Sequence, residues 1–254
     1  MSKSSRKPDQ FGNRMKAYEN VNRVYLPKRM PVIIRVDGRA FHTFTRGLTK
    51  PFSDELIHVM LETAKYLCEN IQGCKLAYHQ SDEISLLLTN YDDVNTESWF
   101  DNNIQKIVSN SASLATAKFN QLRQEFFPEK PLALFDSRVF VLPKEEVTNY
   151  FLWRQQDATK NSVSMVAQAN FSQKQLQGLK GPQMQEKLFQ EKGINWNNIE
   201  TWKKRGACVV KKEVVVKEGA IRNRWEIDEN IPIFSQDREY IDSLVYPERK
   251  IINV

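Results

Sequence analysis

The sequence predicts an α+β fold, a ferredoxin-like antiparallel sheet built in the order β-α-β-β-α-β, with helical and β-hairpin additions in the C-terminal half. Three observations carry that expectation. Short apolar runs at Val32–Val36, Lys75–His79, Ile84–Leu88 and Leu132–Leu142 alternate with two long stretches of helical apolar period. The two middle runs are separated only by a short Ser81-Asp82-Glu83 turn, so they read as a hairpin. The first run ends in Asp37-Gly38, a strand delivering a carboxylate at its tip.

Taken in order, Phe11–Leu26 reads as helical, with Met15, Tyr18 and Val21 or Asn22 at helical spacing. Pro27 and Pro31 bracket a turn before the first strand, and Asp37–Pro51 reads as a charged loop. Ser53 caps a helix with Leu56, Met60, Ala64, Leu67 and Ile71 on one face, ended by Gly73. A second long helix is expected over Glu97–Gln121, burying Phe100, Ile104, Ile107 or Val108, Ser111 and Leu114 or Ala115 before Pro128 and Pro131 stop it. Beyond the fourth strand, Val147–Gln156 and Gln183–Glu191 read as helices. Val209–Val216 and Arg222–Ile227 pair across Glu218-Gly219. Nothing resembles a linker or a repeat, so residues 1–254 are expected to form a single domain, a core over about 28–145 carrying additions over about 146–254. Polymerase palms and nucleotide cyclases share this palm-type order, with carboxylates at the end of the first strand and on the hairpin between the second and third.

Composition bounds the function. The 254 residues are 41% hydrophobic, and 37 basic against 31 acidic side chains leave +6, which suits a polyanionic partner better than an acidic surface would. No run of about 18 apolar residues reads as a membrane span. Met1–Lys7 is polar and basic and does not read as a secretory signal. Cys68, Cys74 and Cys208 are odd in number and lack metal-ligand spacing, so they read as reduced thiols, and the expected location is cytoplasmic.

The chemistry centres on two acidic clusters. Brought together, Asp37 and Asp82 can share divalent cations, and paired Mg²⁺ ions about 3.5–4 Å apart align and neutralise a phosphoryl transfer. Glu83 is either a second ligand or a solvated charge, since neighbours on an extended strand face opposite ways. Arg35 and Arg39 suit phosphate oxygens, and Gly38 lets its backbone approach a metal or triphosphate closely. Ser81 either caps the turn or touches a phosphate, and Phe41 and Phe44 either stack a base or pack the loop. His42 and Lys50 follow the first strand, where a triphosphate would rest. Lys106 lies on the second long helix, and Lys203-Lys204-Arg205 with Lys211-Lys212 forms a basic group able to grip phosphate. There is no Walker loop, GxGxxG, zinc spacing or nucleophile elbow.

Several stretches then carry a resemblance. Arg35-Val-Asp-Gly-Arg-Ala-Phe-His42, Lys50-Pro51, Tyr78-His-Gln-Ser-Asp-Glu83, Phe135-Asp-Ser-Arg138, Trp153-Arg-Gln-Gln-Asp157, Gly193-Ile-Asn-Trp-Asn197 and Lys204-Arg205-Gly206 together resemble the tRNA(His) guanylyltransferase superfamily. The resemblance spans about residues 10–210. It implies a palm-like core with two Mg²⁺ ions on Asp37, Asp82 and the Gly38 carbonyl, Glu83 joining the catalytic carboxylates. Nucleotide or triphosphate contacts are implied at Arg35, Gly38, Arg39, Ala40, Phe41, His42, Lys50, Ser81 and Lys106, with weaker tRNA or second-triphosphate contacts at Arg138, Arg154, Lys204 and Arg205. It further implies GTP, ATP and other nucleoside triphosphates as substrates, tRNA as partner, a homotetrameric dimer of dimers, and reversed polymerisation at a tRNA 5′ end.

Departures narrow the expectation. Dedicated enzymes follow Trp-Arg-Gln-x-Asp with x-His-Ile-Asn-Asn, whereas this chain has Ala158-Thr-Lys-Asn-Ser162. With Gly12-Asn-Arg-Met-Lys-x-Tyr18-Glu19 this resembles the guanylyltransferase-like branch, which repairs 5′-truncated tRNAs on the opposite strand as template. Asn102-Asn103 stands where the family often has paired arginines, and Ser53 where it often has Asp. The rival expectations are a tRNA(His)-specific guanylyltransferase, a palm-type nucleotide cyclase on free nucleotide, and a non-catalytic RNA-binding protein.

Overall fold

The computed structural model describes residues 9–215 and 221–246. The strands are β1 (Val32–Gly38), β2 (Cys74–Gln80), β3 (Glu83–Leu88), β4 (Phe135–Val141), β5 (Ala207–Val215) and β6 (Ile221–Asp228). They form one sheet in the order β4-β1-β3-β2-β5-β6, every neighbouring pair antiparallel. Alternation along β1 sends Val32, Ile34 and Val36 to one face and Ile33, Arg35 and Asp37 to the other.

Each face is covered by helices. On the first, α3 (Asp54–Asn70) and α4 (Ile104–Phe126) bury Met60, Ala64, Leu67, Ile107, Ala115 and Phe119 against Ile34, Val36, Ile84 and Leu86. On the second, α5 (Lys144–Asn170) and α9 (Glu239–Val245) bury Val147, Phe151, Ile241 and Val245 against Ile33, Tyr78, Leu87 and Cys208. Burying one such side chain is worth about 1.5–3 kcal/mol, so the two apolar stripes of the sheet demand two covers. A third cluster packs the distal half of α5 with α6 (Gln173–Leu176) and α7 (Gly181–Lys192) around Val163, Val166, Leu188 and Trp196.

Local rules set several boundaries. The Ser53 hydroxyl accepts the Leu56 N–H at 3.3 Å, and Asp54 and Glu55 fill the first turn of α3. Cys68, Cys74 and Cys208 are free and buried. Among the described residues no helix is long and apolar enough to cross a membrane.

The structure corrects the expected elements at four places. The first helix, α1 (Gln10–Asn20), is shorter than Phe11–Leu26 and buries no side chain. The second long helix begins at Ile104, because the Asn103 side chain caps the Lys106 N–H and Phe100, Asp101 and Asn102 adopt left-handed φ values of 49, 53 and 61°. Phe100 is therefore exposed in a 3-10 turn (Trp99–Asn102), not buried on a helix face. The helix expected over Val147–Gln156 runs to Asn170: Arg154, Gln155, Ala158 and Ser162 interrupt the apolar pattern of its buried side before Val163, Val166 and Ala167 resume it. The Asp37–Pro51 loop holds the short helix α2 (Phe41–Phe44). The expected Glu218-Gly219 turn and Met1–Lys7 lie outside the described residues.

Candidate active site

The two acidic clusters meet at one end of the sheet. Asp37 is the penultimate residue of β1, and its cross-strand partner on β3 is Glu83. A two-residue turn joins β2 to β3, with Ser81 at φ 55°, and it presents Asp82 beside Gly38. The Gly38 N–H donates to the Asp82 carbonyl at 2.9 Å, which pins the two clusters to each other. Burial raises the Asp82 carboxyl above its ordinary value, and the Asp37 charge pushes in the same direction.

Gly38 is required by its floor. A Cβ there would stand 2.3 Å from the Phe41 ring. That ring packs on Phe44, Phe119 and Phe135 with centroids 5.2–5.4 Å away, so it has little room to retreat. Phe41 and Phe44 are both buried and pack the loop; neither ring is exposed for base stacking. Ala40, in a left-handed conformation, Arg39 and His42 remain at the surface.

On the α5 face a charged network surrounds Asp37. Arg35 and Arg138 each approach its carboxylate at 3.6 Å. Glu83 binds Arg154 at 2.8 Å, stands 3.7 Å from Arg35, and accepts the Ser85 hydroxyl at 3.2 Å. Arg154 also meets Asp157 at 3.1 Å and stacks 3.8 Å from the centre of the Trp153 ring.

This network corrects two expectations. Glu83 shares Asp37's face yet is neither solvated nor free: its buried carboxylate is committed to two arginines, so it orients them. Arg154 is buried in the same pair, so its guanidinium is not presented to RNA. Lys204 is likewise not presented to RNA. It is buried, its Nζ donates to the Asn197 carbonyl at 2.5 Å over the Trp196 ring, and burial lowers its pKa. Arg138 stays half exposed, and Arg205 lies partly buried beside Trp196. Lys106 is exposed, its Nζ 5.8 Å from the Phe100 ring centre, and among the described ion pairs it meets neither aspartate.

Beside Asp82 opens a cavity of about 430 Å³, within the range of small-molecule sites. Ser81, Asp82, His42 and Lys50 contribute polar lining, and Leu48, Leu56, Ile57 and Met165 apolar lining. Trp202 and Lys203 of α8 (Thr201–Arg205) also line it, and Lys203 bridges to Asp54 of α3 at 3.0 Å. Sequence reasoning missed Met165 and Trp202, which come from segments far along the chain with no motif of their own.

His79 lies in the cavity wall, fully buried. Its Nε2–H donates to the Ser81 carbonyl at 2.9 Å, and desolvation pushes its pKa down to about 4. A folded pKa below the unfolded value of about 6.5 means that the neutral ring stabilises the fold above pH 6.5, and that this share is lost as pH falls toward 4. The loss expected between pH 7 and pH 4 is about 3 kcal/mol. Urea melts across that range should show it, and a His79→Gln variant should flatten the curve by that amount; parallel curves would refute it.

Asp37, Asp82 and the nearby Gly38 backbone, with the exposed Asp136 across β4 from Asp37, describe a site that leaves ligand positions to a substrate. Among the described residues no group of three or more His, Cys, Asp or Glu forms a metal cage. That arrangement suits Mg²⁺, which takes one or two carboxylates together with phosphate oxygens and water. The clustered Asp37 and Asp82 charges are what such a cation would neutralise.

Comparison with known proteins gives the family. The family model for tRNAHis guanylyltransferase matches residues 12–143. The chain is 58% identical to a bacterial tRNA(His) guanylyltransferase-like protein solved in complex with ATP, covering 93% of this chain and 99% of that one with a TM-score of 0.87. It is 55% identical to one solved with GTP, covering 94% and 100% with a TM-score of 0.84. It is also 31% identical over 206 residues to the tRNA(His) guanylyltransferase of Debaryomyces hansenii, covering 74% of this chain and 76% of that one. The chain spans 65% of the length of a probable tRNA(His) guanylyltransferase from Bos taurus, at 28% identity. The chain belongs to the tRNAHis guanylyltransferase family, a family of nucleotidyltransferases.

Proposed function

We propose that this chain is a template-dependent 3′–5′ nucleotidyltransferase that adds nucleotides to the 5′ end of tRNA, 5′-truncated tRNA included. The observation that carries the reading is the junction of Asp37 and Gly38 with Asp82, which also lines the cavity together with His42 and Lys50. The bacterial relatives solved with ATP and GTP support nucleoside triphosphates as its substrates. The strand order β4-β1-β3-β2, with α3 and α4 on one face, supports a palm-type, ferredoxin-like core inside a single catalytic domain.

In this reading the 5′ phosphate is activated by adenylylation or already carries a triphosphate. The 3′-hydroxyl of the incoming nucleotide attacks that phosphorus, a new P–O bond forms, and AMP or pyrophosphate leaves. Asp37, Asp82 and the Gly38 carbonyl would hold two Mg²⁺ ions, which supply Lewis-acid activation of the hydroxyl and neutralise the leaving group. His42 and Lys50 hold the triphosphate, and the cavity beside Asp82 receives the nucleoside. Arg35 and Arg138 restrain the Asp37 carboxylate from the other side. Catalysis is positioning and charge stabilisation, so no side-chain nucleophile is required.

Three free buried thiols fit a reducing, cytoplasmic setting. The apolar side chains that α1 exposes, Phe11, Met15 and Tyr18, fit assembly into the family's tetramer. The test is extension of a 5′-truncated, 5′-triphosphorylated tRNA with all four nucleoside triphosphates and Mg²⁺. Template-complementary addition, abolished by EDTA and restored by Mg²⁺, is expected. Binding of the tRNA with nothing added would refute the reading.

A further inference from the structure

We propose that the indole of Trp153 is a stacking platform for a nucleobase, the 5′-terminal base of the RNA being extended. The inference rests on the tRNA-directed reading above and adds which surface meets that base. The register of α5 on the sheet fixes where the ring stands. The Tyr150 hydroxyl lies 3.1 Å from that of Ser85, and its ring packs on Phe140 with centroids 5.5 Å apart. One turn further along, Arg154 reaches Glu83. Ser85 and Glu83 stand opposite Arg35 and Asp37, so α5 climbs toward the carboxylate end of the sheet. Trp153 follows Tyr150 on that climb, the two ring centroids 5.9 Å apart.

Beside the ring the sheet is open. Alternation along β4, an edge strand, puts Arg138 and Asp136 next after Phe140 on this face, and both are exposed. Trp153 therefore flanks a strip of sheet whose floor is Asp37, Asp136 and Arg138. The ring itself is 51% exposed, yet it is not loose. The Arg154 guanidinium stacks on it at 3.8 Å, and Glu83 and Asp157 hold that guanidinium at 2.8 and 3.1 Å. An aromatic surface fixed before the ligand arrives loses little side-chain freedom on binding.

Charge decides which part of a nucleotide belongs there. The floor sets two carboxylates against one guanidinium, and Asp157 stands close by, so a bare phosphate is repelled while a neutral, flat base is not. Size decides which nucleotide it is. The cavity of about 430 Å³ beside Asp82 takes a single nucleoside, whereas the end of an RNA stem needs the open strip on the Asp37 side. Stacking on an aromatic ring tolerates every base, which suits an enzyme whose template dictates the residue added.

The experiment uses a 5′-triphosphorylated, 5′-truncated tRNA carrying fluorescent 2-aminopurine as its 5′-terminal residue, and a control carrying it further inside the stem. Wild type and Trp153→Phe should quench the terminal probe and leave the inner one unchanged. Trp153→Leu, which keeps apolar bulk without a π face, should quench neither. It should also bind the transcript about tenfold more weakly with an unchanged slope of log affinity against log salt, since no phosphate contact is lost. Removing the 5′-terminal base should weaken wild type by a similar factor and the leucine variant no further. Unchanged affinity for ATP reports an intact fold. The proposal is overturned if wild type leaves the terminal probe unquenched, or if Trp153→Leu quenches and binds as wild type does. A change of particle mass for that variant without RNA also overturns it and assigns the ring to contacts between copies. Wild type that extends the transcript without quenching sinks the platform alone. Wild type that quenches the terminal probe yet adds nothing sinks the transfer reading and leaves the platform.

Discussion

Replacing Asp82 by alanine is expected to reduce nucleotide addition on the order of 10³-fold or more, because several kcal/mol of charge stabilisation leave with the cation it helps to hold. Asp37→Ala should match it. The two effects should not add, since either change dismantles one shared site. Stability should move in the other direction for Asp82. Its carboxyl is raised by burial and by Asp37, so the native protein bears a cost that the variant sheds. Single-turnover extension beside urea melts separates the two readouts. Residual activity above a tenth of wild type would remove Asp82 from the metal site.

Glu83→Ala is expected to act through the fold. The substitution leaves Arg154, at 7% side-chain exposure, and Arg35, at 16%, without the carboxylate that both face. Breaking a buried pair from one side costs about 3–5 kcal/mol, against typical surface changes within about 0.5 kcal/mol. Arg35 would then fall wholly to Asp37, holding that carboxylate more tightly and away from the Gly38–Asp82 junction. The expected result is a large drop in the urea midpoint together with reduced addition. Glu83→Gln, which keeps the shape and one acceptor, should recover part of both. Unchanged stability in the alanine variant would mean that Arg154 finds Asp157 sufficient.

Much of this was legible in the chain. The strands around Asp37 and Asp82 are short apolar runs closed by turn chemistry, and local rules suffice for them: period, the Ser53 cap, and the two-residue turn at Ser81. The candidate metal ligands followed because topology alone sends both carboxylates to the same end of an antiparallel sheet. Other features stayed hidden because their signals are not local. The middle of α5 buries Arg154, Gln155, Ala158 and Ser162, which interrupt the apolar period ahead of Val163 and Val166. The late start of α4 depends on the Asn103 cap and on a run of three left-handed residues; Asp101 and Asn102 tolerate that conformation singly, but a run of three is not something local propensity signals.

Charge was the least legible property of all. Lys204, Arg154 and Glu83 read in the sequence as surface or catalytic charges, yet each is buried against a partner from another segment: Asn197, Glu83 and Arg154 respectively. Whether a charged side chain meets water or a counter-charge depends on desolvation, a property of the packed neighbourhood. By itself the sequence determined the strand order along the chain and its long helices, the carboxylate pair and the family, since each rests on residues read along the chain. Only the tertiary structure decided which charges face a substrate and which hold the sheet together, and it built the cavity beside Asp82 from α3, α5 and α8. Those side chains become neighbours only when both faces of the sheet are buried.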